Sequence, residues 1–477
     1  MKQISLADNT HYIKEGVDTI SYSAVLPELD RTRSEELKFL KTLSCQTIER
    51  LNSSQKEDGG ILVWPHSFKE QKSDLSKMKV LDCSFLNDGT IESISTNNLV
   101  GFIGNGKVQI EIGTRFCKKH NMASETDYLL YYMLSKVFHM NIVNMEVGRG
   151  TLKELDLLIF MFPQLLQEAM RQGIFKQYVK REYNDSNLRG TIDINRHIRY
   201  NYPANGRIAY NTREFSHDNY VTQLIRHTIE HIGKSPIGRN ILNINKETEE
   251  CVRNIRQSTP TFQSCAKRSV IAGNRKVVSH PYFTKYRTLQ QLCLAILRNE
   301  RISHGKSTNK VHGVLIDVAW LWEEYVANIL REYDCGFNHH TDKNSFKLFS
   351  NVESDKPFQT IIPDYLHADK FVADAKYIPL HRYEHLDAER ASAVYYKTIM
   401  YMYRFATSKG FLFHPCSMAD EKENKFAYSE YEIANNKNCH LYEIGLVVPD
   451  SDDFTEFKHM MINHEEEFCK KVKELTT

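Results

Sequence analysis

The chain has 477 residues, of which 41% are hydrophobic, and 62 lysines and arginines stand against 60 aspartates and glutamates. This length and apolar share predict about two to four domains with hydrophobic cores and exclude a disordered or low-complexity chain. The near-neutral charge excludes a global field that attracts nucleic acid, so any DNA contact is expected to be a local patch.

The cysteines and the first residues indicate where the protein works. Ten cysteines occur without a CxxC pair, which disfavours a structural zinc site and indicates reduced thiols in a cytoplasm. The opening run MKQISLADNTHYIKEG lacks the apolar core of a signal peptide. No stretch approaches the roughly 20 apolar residues of a membrane span. We therefore expect a cytoplasmic protein without a membrane segment.

The predicted elements divide the chain into three regions, and the expected fold class is a multidomain α+β protein. Residues 1–122 are predicted to form a strand-rich domain with one helix over 34–53. Residues 123–305 are mostly helical by their apolar periodicity, and residues 306–477 form a third domain. The middle region contains a basic stretch with interleaved tyrosines, 179–201. That stretch either tracks a phosphate backbone or is a solvated, strand-forming linker.

A glycine-rich run in the first region has the spacing of a phosphate-binding loop. Gly101, Gly106 and Lys107 satisfy that spacing, but Val108 follows where a serine or threonine is needed for Mg²⁺. The next residues, VQIEI, alternate as a strand, whereas a phosphate loop opens a helix. Asn105-Gly106 is instead a type I′ turn signal. The run therefore predicts a β-hairpin and no nucleotide site.

The most informative stretch is TIIPDYLHADKFVADAKYIPL, residues 360–380. It predicts two short apolar strands joined by a polar turn. With the turn centred near Asp369, Asp364 lies opposite Asp374 across the ladder. Period-2 alternation places Asp374 and Lys376 on one face of the second strand. Two acids and an amine are therefore expected to gather at one place.

This grouping of side chains predicts a hydrolytic site. Two carboxylates a few ångströms apart repel each other unless a cation lies between them, and Mg²⁺ is the usual one. A lysine beside them can orient or deprotonate water for attack on a phosphodiester. Pro363-Asp364 followed by Asp374-Ala375-Lys376 is the pattern of the PD-(D/E)xK nucleases. The alternative is a solvated hairpin face with an incidental salt bridge.

The order of elements around this stretch favours the nuclease. PD-(D/E)xK cores run helix, three strands, helix, strand. A helix is predicted over 314–333, a first strand over 337–350, and a second helix over 389–410 with Gly410 as its C-cap. GFLFHP and HLYEIGLVVP follow as buried strands that end at proline. The third region is therefore predicted to be a PD-(D/E)xK nuclease domain.

Several runs also carry a resemblance to a known family. GFIGNGKVQIEIGTRF, LRGTIDINRHI, NTREFSHDNYVTQLIRH and LWEEYV occur in this order ahead of the hairpin. The series resembles the McrC family, the nuclease subunits of McrBC-type, modification-dependent restriction systems, over about residues 99 to 405. The resemblance implies a Mg²⁺-dependent, type IV restriction-like DNA endonuclease that cleaves methylated double-stranded DNA in anti-phage defence. It also implies an McrB-like AAA+ GTPase partner, which binds the GTP and on which the N-terminal region docks.

The resemblance assigns roles to residues by position. Glu323 in LWEEYV corresponds to a metal-site acid on the leading helix; its alternative is a surface charge on that helix. Asp364 and Asp374 correspond to the metal-binding acids and Lys376 to the catalytic lysine. The backbone carbonyl of Ala375 is expected to complete the ligands of one or two Mg²⁺ ions.

The chain departs from the family pattern in two places. The family often has a glutamine after a tyrosine on the helix that follows the catalytic lysine, but Tyr396-Lys397 stands here. The role of that glutamine therefore cannot be transferred. The asparagine after the family's REF motif is also missing, with Thr222 nearby.

Three classes of function follow from these observations. The first is a partner-dependent endonuclease. The second is a non-cleaving activator of the AAA+ GTPase, and the third is a stand-alone PD-(D/E)xK repair nuclease. A neighbouring gene for an AAA+ protein with a GTP-type loop separates the first two from the third.

Overall fold

The computed structural model covers most of the chain in helices, strands and ordered connections. The structure describes residues 2–13, 23–25, 34–53, 60–68, 74–87, 90–105, 107–117, 127–138, 154–302, 311–339, 345–354, 356–367, 370–378, 388–417, 425–434 and 436–476. The strands are β1 (Lys2–Ala7), β2 (His11–Ile13), β3 (Ser23–Val25), β4 (Gly60–Trp64), β5 (Leu81–Phe85), β6 (Ile91–Thr96), β7 (Leu99–Gly104), β8 (Val108–Gly113), β9 (Gln177–Asp185), β10 (Thr191–Ile192), β11 (Ile208–Ser216), β12 (His312–Asp317), β13 (Asn338–His339), β14 (Phe346–Ser350), β15 (Pro357–Ile361), β16 (Tyr365–His367), β17 (Phe371–Ala375), β18 (Lys409–Ser417), β19 (Phe426–Ile433) and β20 (Asn436–Val448). The helices are α1 (Ser34–Cys45), α2 (Ile48–Ser53), α3 (Tyr128–Val137), α4 (Glu154–Met170), α5 (Ile194–Asn201), α6 (Tyr220–Ile232), α7 (Pro236–Leu242), α8 (Lys246–Ser258), α9 (Lys267–Gly273), α10 (Lys285–Ile302), α11 (Val318–Glu332), α12 (Ala388–Arg404) and α13 (Phe454–Thr476).

The chain divides into two compact units. One unit combines Met1–Glu154 with Ser307–Thr477, and the other is Leu155–Lys306. Mixed helices and several sheets agree with the expected α+β class. Among the helices of the described ranges, none is long and apolar enough to span a membrane.

The first unit contains an N-terminal sheet with the order β1-β8-β7-β12-β4. Burial alternates along its strands because one face packs on the core. In β8, Val108, Ile110 and Ile112 are buried, while the residues between them are half-buried. β7 and β8 pair antiparallel, so the predicted hairpin is confirmed; Gly106 in its turn lies outside the described residues. A smaller sheet has the order β3-β2-β6-β5.

The predicted helix over 314–333 begins differently in the structure. Its first residues form β12, which pairs antiparallel with β7 and parallel with β4. Val314, Leu315 and Ile316 are almost fully buried between these neighbours. The helix then starts at Val318, because the Asp317 side chain accepts hydrogen bonds from the first backbone N–H groups of α11. The leading helix of the nuclease region therefore emerges directly from the N-terminal sheet.

The second large sheet of this unit has the order β13-β16-β17-β18-β20-β19. β16 and β17 are antiparallel, whereas β17, β18 and β20 are parallel to one another. The register pairs Tyr365 with Ala373, so the next position along places Asp364 opposite Asp374, as hairpin counting predicts. Asp369 itself lies outside the described residues.

Two predicted boundaries in this region are wrong. The helix predicted over 389–410 ends at Arg404, and Ala406 takes the left-handed conformation with φ of 51°. Gly410 is therefore not a C-cap but a residue of β18. A Cβ atom there would lie 2.6 Å from the sulfur of Met402, so glycine allows β18 to pack closely against α12.

The strand predicted over 337–350 is also divided. Its ends form β13, at the edge of the large sheet, and β14, which pairs with β15 in a separate two-stranded sheet. The residues between β13 and β14 lie outside the described ranges. The strand that starts at GFLFHP runs past its proline to Ser417, while β20 ends at Val448, just before Pro449, as predicted.

The second unit is built around α6, which is buried over most of its surface. Asn219 caps this helix: its side chain accepts from Val221 and Thr222 backbone N–H groups in a capping box. The predicted basic stretch 179–201 forms most of β9, then β10 and α5, and β9 and β10 both pair with β11. It is thus an element of a three-stranded sheet rather than a linker.

Candidate active site

Asp374 of β17 is the central acid of the site. It is fully buried, with 0% of its surface exposed, and is therefore not on a solvated face. The ammonium of Lys376 contacts its Oδ2 atom, and the ammonium of Lys397 lies 3.5 Å from its Oδ1 atom. Lys376 is held in register by its backbone N–H, which donates to the carbonyl of Phe413 at 2.8 Å. A buried carboxylate is thus balanced by two cations.

Asp364 is the second acid and is half-buried. It follows Pro363, which lacks an N–H group and lies in the short break between β15 and β16. The backbone N–H of Ala375 donates to its Oδ2 atom at 2.7 Å, and the charge of Asp374 acts on its carboxyl group. The structure therefore brings Asp364, Asp374 and Lys376 together, as the sequence predicts.

The pKa values of the two acids move in opposite directions. Burial, the charge of Asp374 and the charge of Glu323 raise the pKa of Asp364 well above its usual value. Burial alone would also raise the pKa of Asp374, but the ammonium groups of Lys376 and Lys397 outweigh it and lower that pKa. Asp374 is therefore the more acidic member of the pair. A split of this kind is typical of functional acid pairs.

Glu323 lies on α11 beside this pair. The helix is fastened to the sheet by Trp322, whose Nε1 donates to the Phe413 carbonyl at 3.4 Å, and by Tyr365, whose hydroxyl donates to the Glu323 carbonyl at 2.6 Å. The charge of Glu323 is a main cause of the raised pKa of Asp364, and it also acts on Lys397. Its side chain therefore acts on the site electrostatically.

The residues at this site have the ligand chemistry that a hard divalent cation needs, although they are not arranged as a complete set of ligands. Asp364, Asp374, Glu323 and the carbonyl of Ala375 are all oxygen ligands, which Mg²⁺ prefers. Over the part of the chain that the structure describes, no group of three or more histidine, cysteine or acidic side chains is arranged to hold a metal ion. The observation in favour is the pair of facing acids, whose repulsion is offset here by two ammonium groups.

Lys397 is the residue whose role the sequence left open: it stands where the family often has a glutamine, and the structure places its ammonium group beside Asp374. It lies on α12, which is fastened on both sides: the hydroxyl of Tyr395 donates to Glu443 at 3.0 Å, and that of Tyr401 donates to the carbonyl of Ile362 at 2.9 Å. One signal in the sequence pointed to it. Lys397 occupies the i+3 position from Val394 within the apolar stripe of α12, where a lysine needs a partner.

A feature that the sequence did not predict joins the catalytic strand to the N-terminal sheet. Tyr377, next to Lys376, is covered by the Arg115 guanidinium at 4.3 Å from its ring centre, and Asn9 donates to its carbonyl at 3.4 Å. Arg115 is held by Asp8 through its side chain at 3.3 Å and its backbone N–H at 2.6 Å. Burial raises the pKa of Asp8 to about 6. Arg115 belongs to the GTRF run that carried the resemblance.

A comparison with protein families identifies the family of the chain. The family model described as McrBC 5-methylcytosine restriction system component matches residues 94–415, more than half of the chain. No curated protein matches the chain.

Two solved structures are similar to the chain. One is a half-complex from the tetradecameric assembly of Thermococcus gammatolerans McrB AAA+ hexamers with bound McrC, at 12% identity and a TM-score of 0.49, covering 99% of this chain and 100% of that one. The other is the Thermococcus gammatolerans McrBC complex, at 15% identity and a TM-score of 0.29, covering 71% of this chain and 90% of that one. On the extent of the family match, the chain belongs to the family of McrBC 5-methylcytosine restriction system components.

Proposed function

We propose that this chain is the DNA-cleaving subunit of its restriction system, a Mg²⁺-dependent endonuclease of the PD-(D/E)xK type. One observation carries the proposal: a fully buried Asp374 faces a second acid, Asp364, and Lys376 contacts the buried carboxylate. A fold does not bury two facing acids for stability, because each ion loses hydration and the like charges repel. A site that binds a divalent cation accounts for the arrangement.

The order of elements supports the nuclease core. Helix α11 precedes the β16–β17 hairpin, and α12 leads from that hairpin into β18, which lies parallel to β17. This is a helix, a strand hairpin, a second helix and a further strand in one sheet. The two acids lie on the hairpin, which rigid neighbours on both sides hold in position.

In the proposed reaction each residue has one task. Asp364, Asp374 and the carbonyl of Ala375, with Glu323 beside them, hold the cation. When bound, the cation polarises the phosphodiester and lowers the pKa of the attacking water. Lys376 orients that water by a hydrogen bond and offsets the negative charge that builds on the phosphate in the transition state.

The proposed partner is an AAA+ GTPase of the McrB kind, and the proposed substrate is double-stranded DNA with 5-methylcytosine. The archaeal half-complex contains McrB AAA+ hexamers with McrC bound. In our proposal the partner binds GTP and selects the DNA, while this chain docks on it through its N-terminal region, stimulates its hydrolysis of GTP, and cuts. All of this takes place in the cytoplasm.

The proposal is tested by cleavage of a methylated plasmid. The chain is purified alone and with the AAA+ protein encoded beside it, and product is measured with Mg²⁺ and GTP. Cleavage only with the partner, lost in Asp374→Asn, is the expected result. Cleavage without the partner would favour a stand-alone nuclease. Stimulated GTP hydrolysis without cleavage of any substrate would favour a non-cleaving activator.

A further inference from the structure

The ammonium group of Lys397 is held at a defined place. It lies 3.5 Å from Oδ1 of Asp374 and 5.2 Å from the ring centre of Tyr401, one helical turn further along α12. Tyr401 is itself fixed by its hydroxyl, which donates to the Ile362 carbonyl two residues before Asp364. The position of Lys397 is therefore set by the same elements that position the acids.

Two lysines lie at different oxygen atoms of the Asp374 carboxylate. Lys376 contacts Oδ2 of Asp374 and Lys397 faces Oδ1, so each oxygen of this carboxylate has an ammonium group beside it. The side chain of Lys397 is 40% exposed and that of Lys376 is 20% exposed. Lys397 is thus the lysine with more access to a molecule that arrives from solvent.

A lysine in this position is suited to move between two anions. Its ammonium ends a flexible four-carbon stem and forms strong, charge-assisted hydrogen bonds with carboxylate or phosphate oxygens. A cation that binds Asp374 takes over the charge that Lys397 now balances, and the lysine then needs another anion. DNA supplies one at every nucleotide.

We propose that Lys397 is a phosphate-binding residue of the site. It pairs with Asp374 when DNA is absent and transfers its ammonium to a non-bridging oxygen of the DNA phosphate at the scissile bond when DNA is bound. This inference rests on the proposed function, since it takes DNA to be the substrate. It assigns the second ammonium group beside Asp374, that of Lys397, to substrate binding.

The first test is the salt dependence of DNA binding. A duplex oligonucleotide is titrated with the full chain in Mg²⁺ at several salt concentrations, without the partner and GTP that the proposed cleavage requires. Each phosphate contact contributes about 0.9 to the slope of log affinity against log salt. Lys397→Gln keeps most of the reach of the side chain without its charge, and is expected to lower the slope by about this amount. Lys397→Arg is expected to retain the slope.

A matched control is Lys437→Gln. Lys437 is an exposed lysine of β20. The residue of β20 in register with Asp374 is Glu443, which lies two strands away across β18. Lys437 lies six positions along β20 from Glu443. It is therefore roughly 20 Å or more from the site. This variant is expected to bind and cleave DNA as the parent chain does.

The second test separates phosphate binding from a structural role. In single-turnover cleavage with the partner, Lys397→Gln is expected to be roughly 10- to 100-fold slower, the loss of one charge-assisted hydrogen bond. Its binding of Mn²⁺, followed by calorimetry, is expected to be equal or tighter, because a competing ammonium is gone. A purely structural lysine would instead lower the melting temperature and weaken Mn²⁺ binding.

The inference and the proposed function fail in different ways. If the parent chain with its partner cuts DNA, and Lys397→Gln has the parent's salt slope and cleavage rate, the inference is wrong. If the parent cuts no DNA, the proposed function is wrong, and an unchanged salt slope in Lys397→Gln would then also reject the phosphate contact.

Discussion

Among the completely buried carboxylates of one unit of this protein, Glu465 and Asp374 differ in what surrounds them. Glu465 of α13 and Asp374 of β17 are each 0% exposed. Glu465 accepts hydrogen bonds from the hydroxyls of Tyr132 at 2.9 Å and Tyr325 at 2.5 Å, and lies 3.2 Å from the ammonium of Lys136. These partners come from α3 and α11, so Glu465 joins three helices.

Asp374 has cations around it as well, but it also has a second acid directly opposite. Glu465 is thus surrounded by donors that satisfy it, whereas Asp374 is placed beside a second acid whose pKa it raises. The first arrangement stabilises a fold because the buried group has hydrogen-bond partners. The second costs stability, and in our proposal a cation that binds between the two acids accounts for it. The neighbours of a buried acid, rather than its burial, indicate its role.

The largest effect is expected when the charge of Asp374 is removed. Asp374→Asn is predicted to lower cleavage at least about a thousandfold, since the main cation ligand is lost and a metal supplies several kcal/mol to such a reaction. The same variant is predicted to unfold at a similar denaturant concentration, because the repulsion with Asp364 disappears while Lys376 and Lys397, which lose their partner, are partly exposed and can be solvated. Cleavage rates and urea unfolding curves measure the two quantities. A variant that unfolds much earlier than the parent would place Asp374 in the same class as Glu465.

The complementary variant is Glu465→Leu. It leaves two buried tyrosine hydroxyls without their acceptor and takes one partner from Lys136, so the free energy of unfolding is predicted to fall by about 3 kcal/mol. Glu465→Gln keeps an acceptor and is predicted to lose less. Urea unfolding gives both values, and cleavage per folded molecule should stay at the parent level. A specific loss of cleavage in a stably folded Glu465→Gln protein would contradict the structural role.

A smaller effect is expected at the two adjacent glutamates of α11. Glu323→Gln is predicted to weaken Mn²⁺ binding and slow cleavage by about 10- to 100-fold, the usual range for a group that supports a metal site. Glu324→Gln is the matched control, one position along the helix, and is predicted to change neither. Calorimetry and single-turnover cleavage measure the difference. Equal effects at both positions would reject Glu323 as the fourth member of the site.

The smallest effect is a pH dependence of stability at Glu465. Burial raises its pKa above that of an exposed glutamate, although Lys136 and the tyrosines oppose this. The folded state therefore holds the proton more tightly than the unfolded state. The stabilisation from Glu465 is present below the pKa that this group has in the unfolded state. It is lost as the pH rises through the pKa that the group has in the folded state. Urea unfolding of the parent and of Glu465→Gln from acid to neutral pH should show a flatter profile in the variant.

The core of the site could be predicted because its information is local. Asp364, Asp374 and Lys376 lie within one hairpin, where a period of two and a turn centre determine which side chains meet. The role of Lys397 stayed open because its position depends on how α12 packs on the sheet, where the hydroxyls of Tyr395 and Tyr401 hold this helix. Helical periodicity predicts which face of a helix is buried, but not which element of the fold packs against that face.

The strand β12 could not be predicted for a different reason. The run VLIDVAWLWEEYV is apolar on nearly every face, so a short strand followed by a helix has the same pattern as one longer helix. What makes it a strand is the gap between β7 and β4 in the N-terminal sheet. Those neighbours lie far away in the sequence, and no local pattern reports them. The contact of Arg115 with Tyr377 was missed because it, too, joins distant parts of the chain.

The insertion of β12 between β4 and β7 also determines when this protein can fold. The sheet that begins at Lys2 lacks its fourth strand until Asp317 has left the ribosome. At about 5–20 residues per second, the interval after Gly104 is synthesised is on the order of ten seconds or more. During that interval β4 and β7 each have an open edge, and such edges pair readily with other chains. The nascent N-terminal half is therefore expected to need chaperones until its missing strand arrives, and a gene truncated before residue 312 should give an aggregating product.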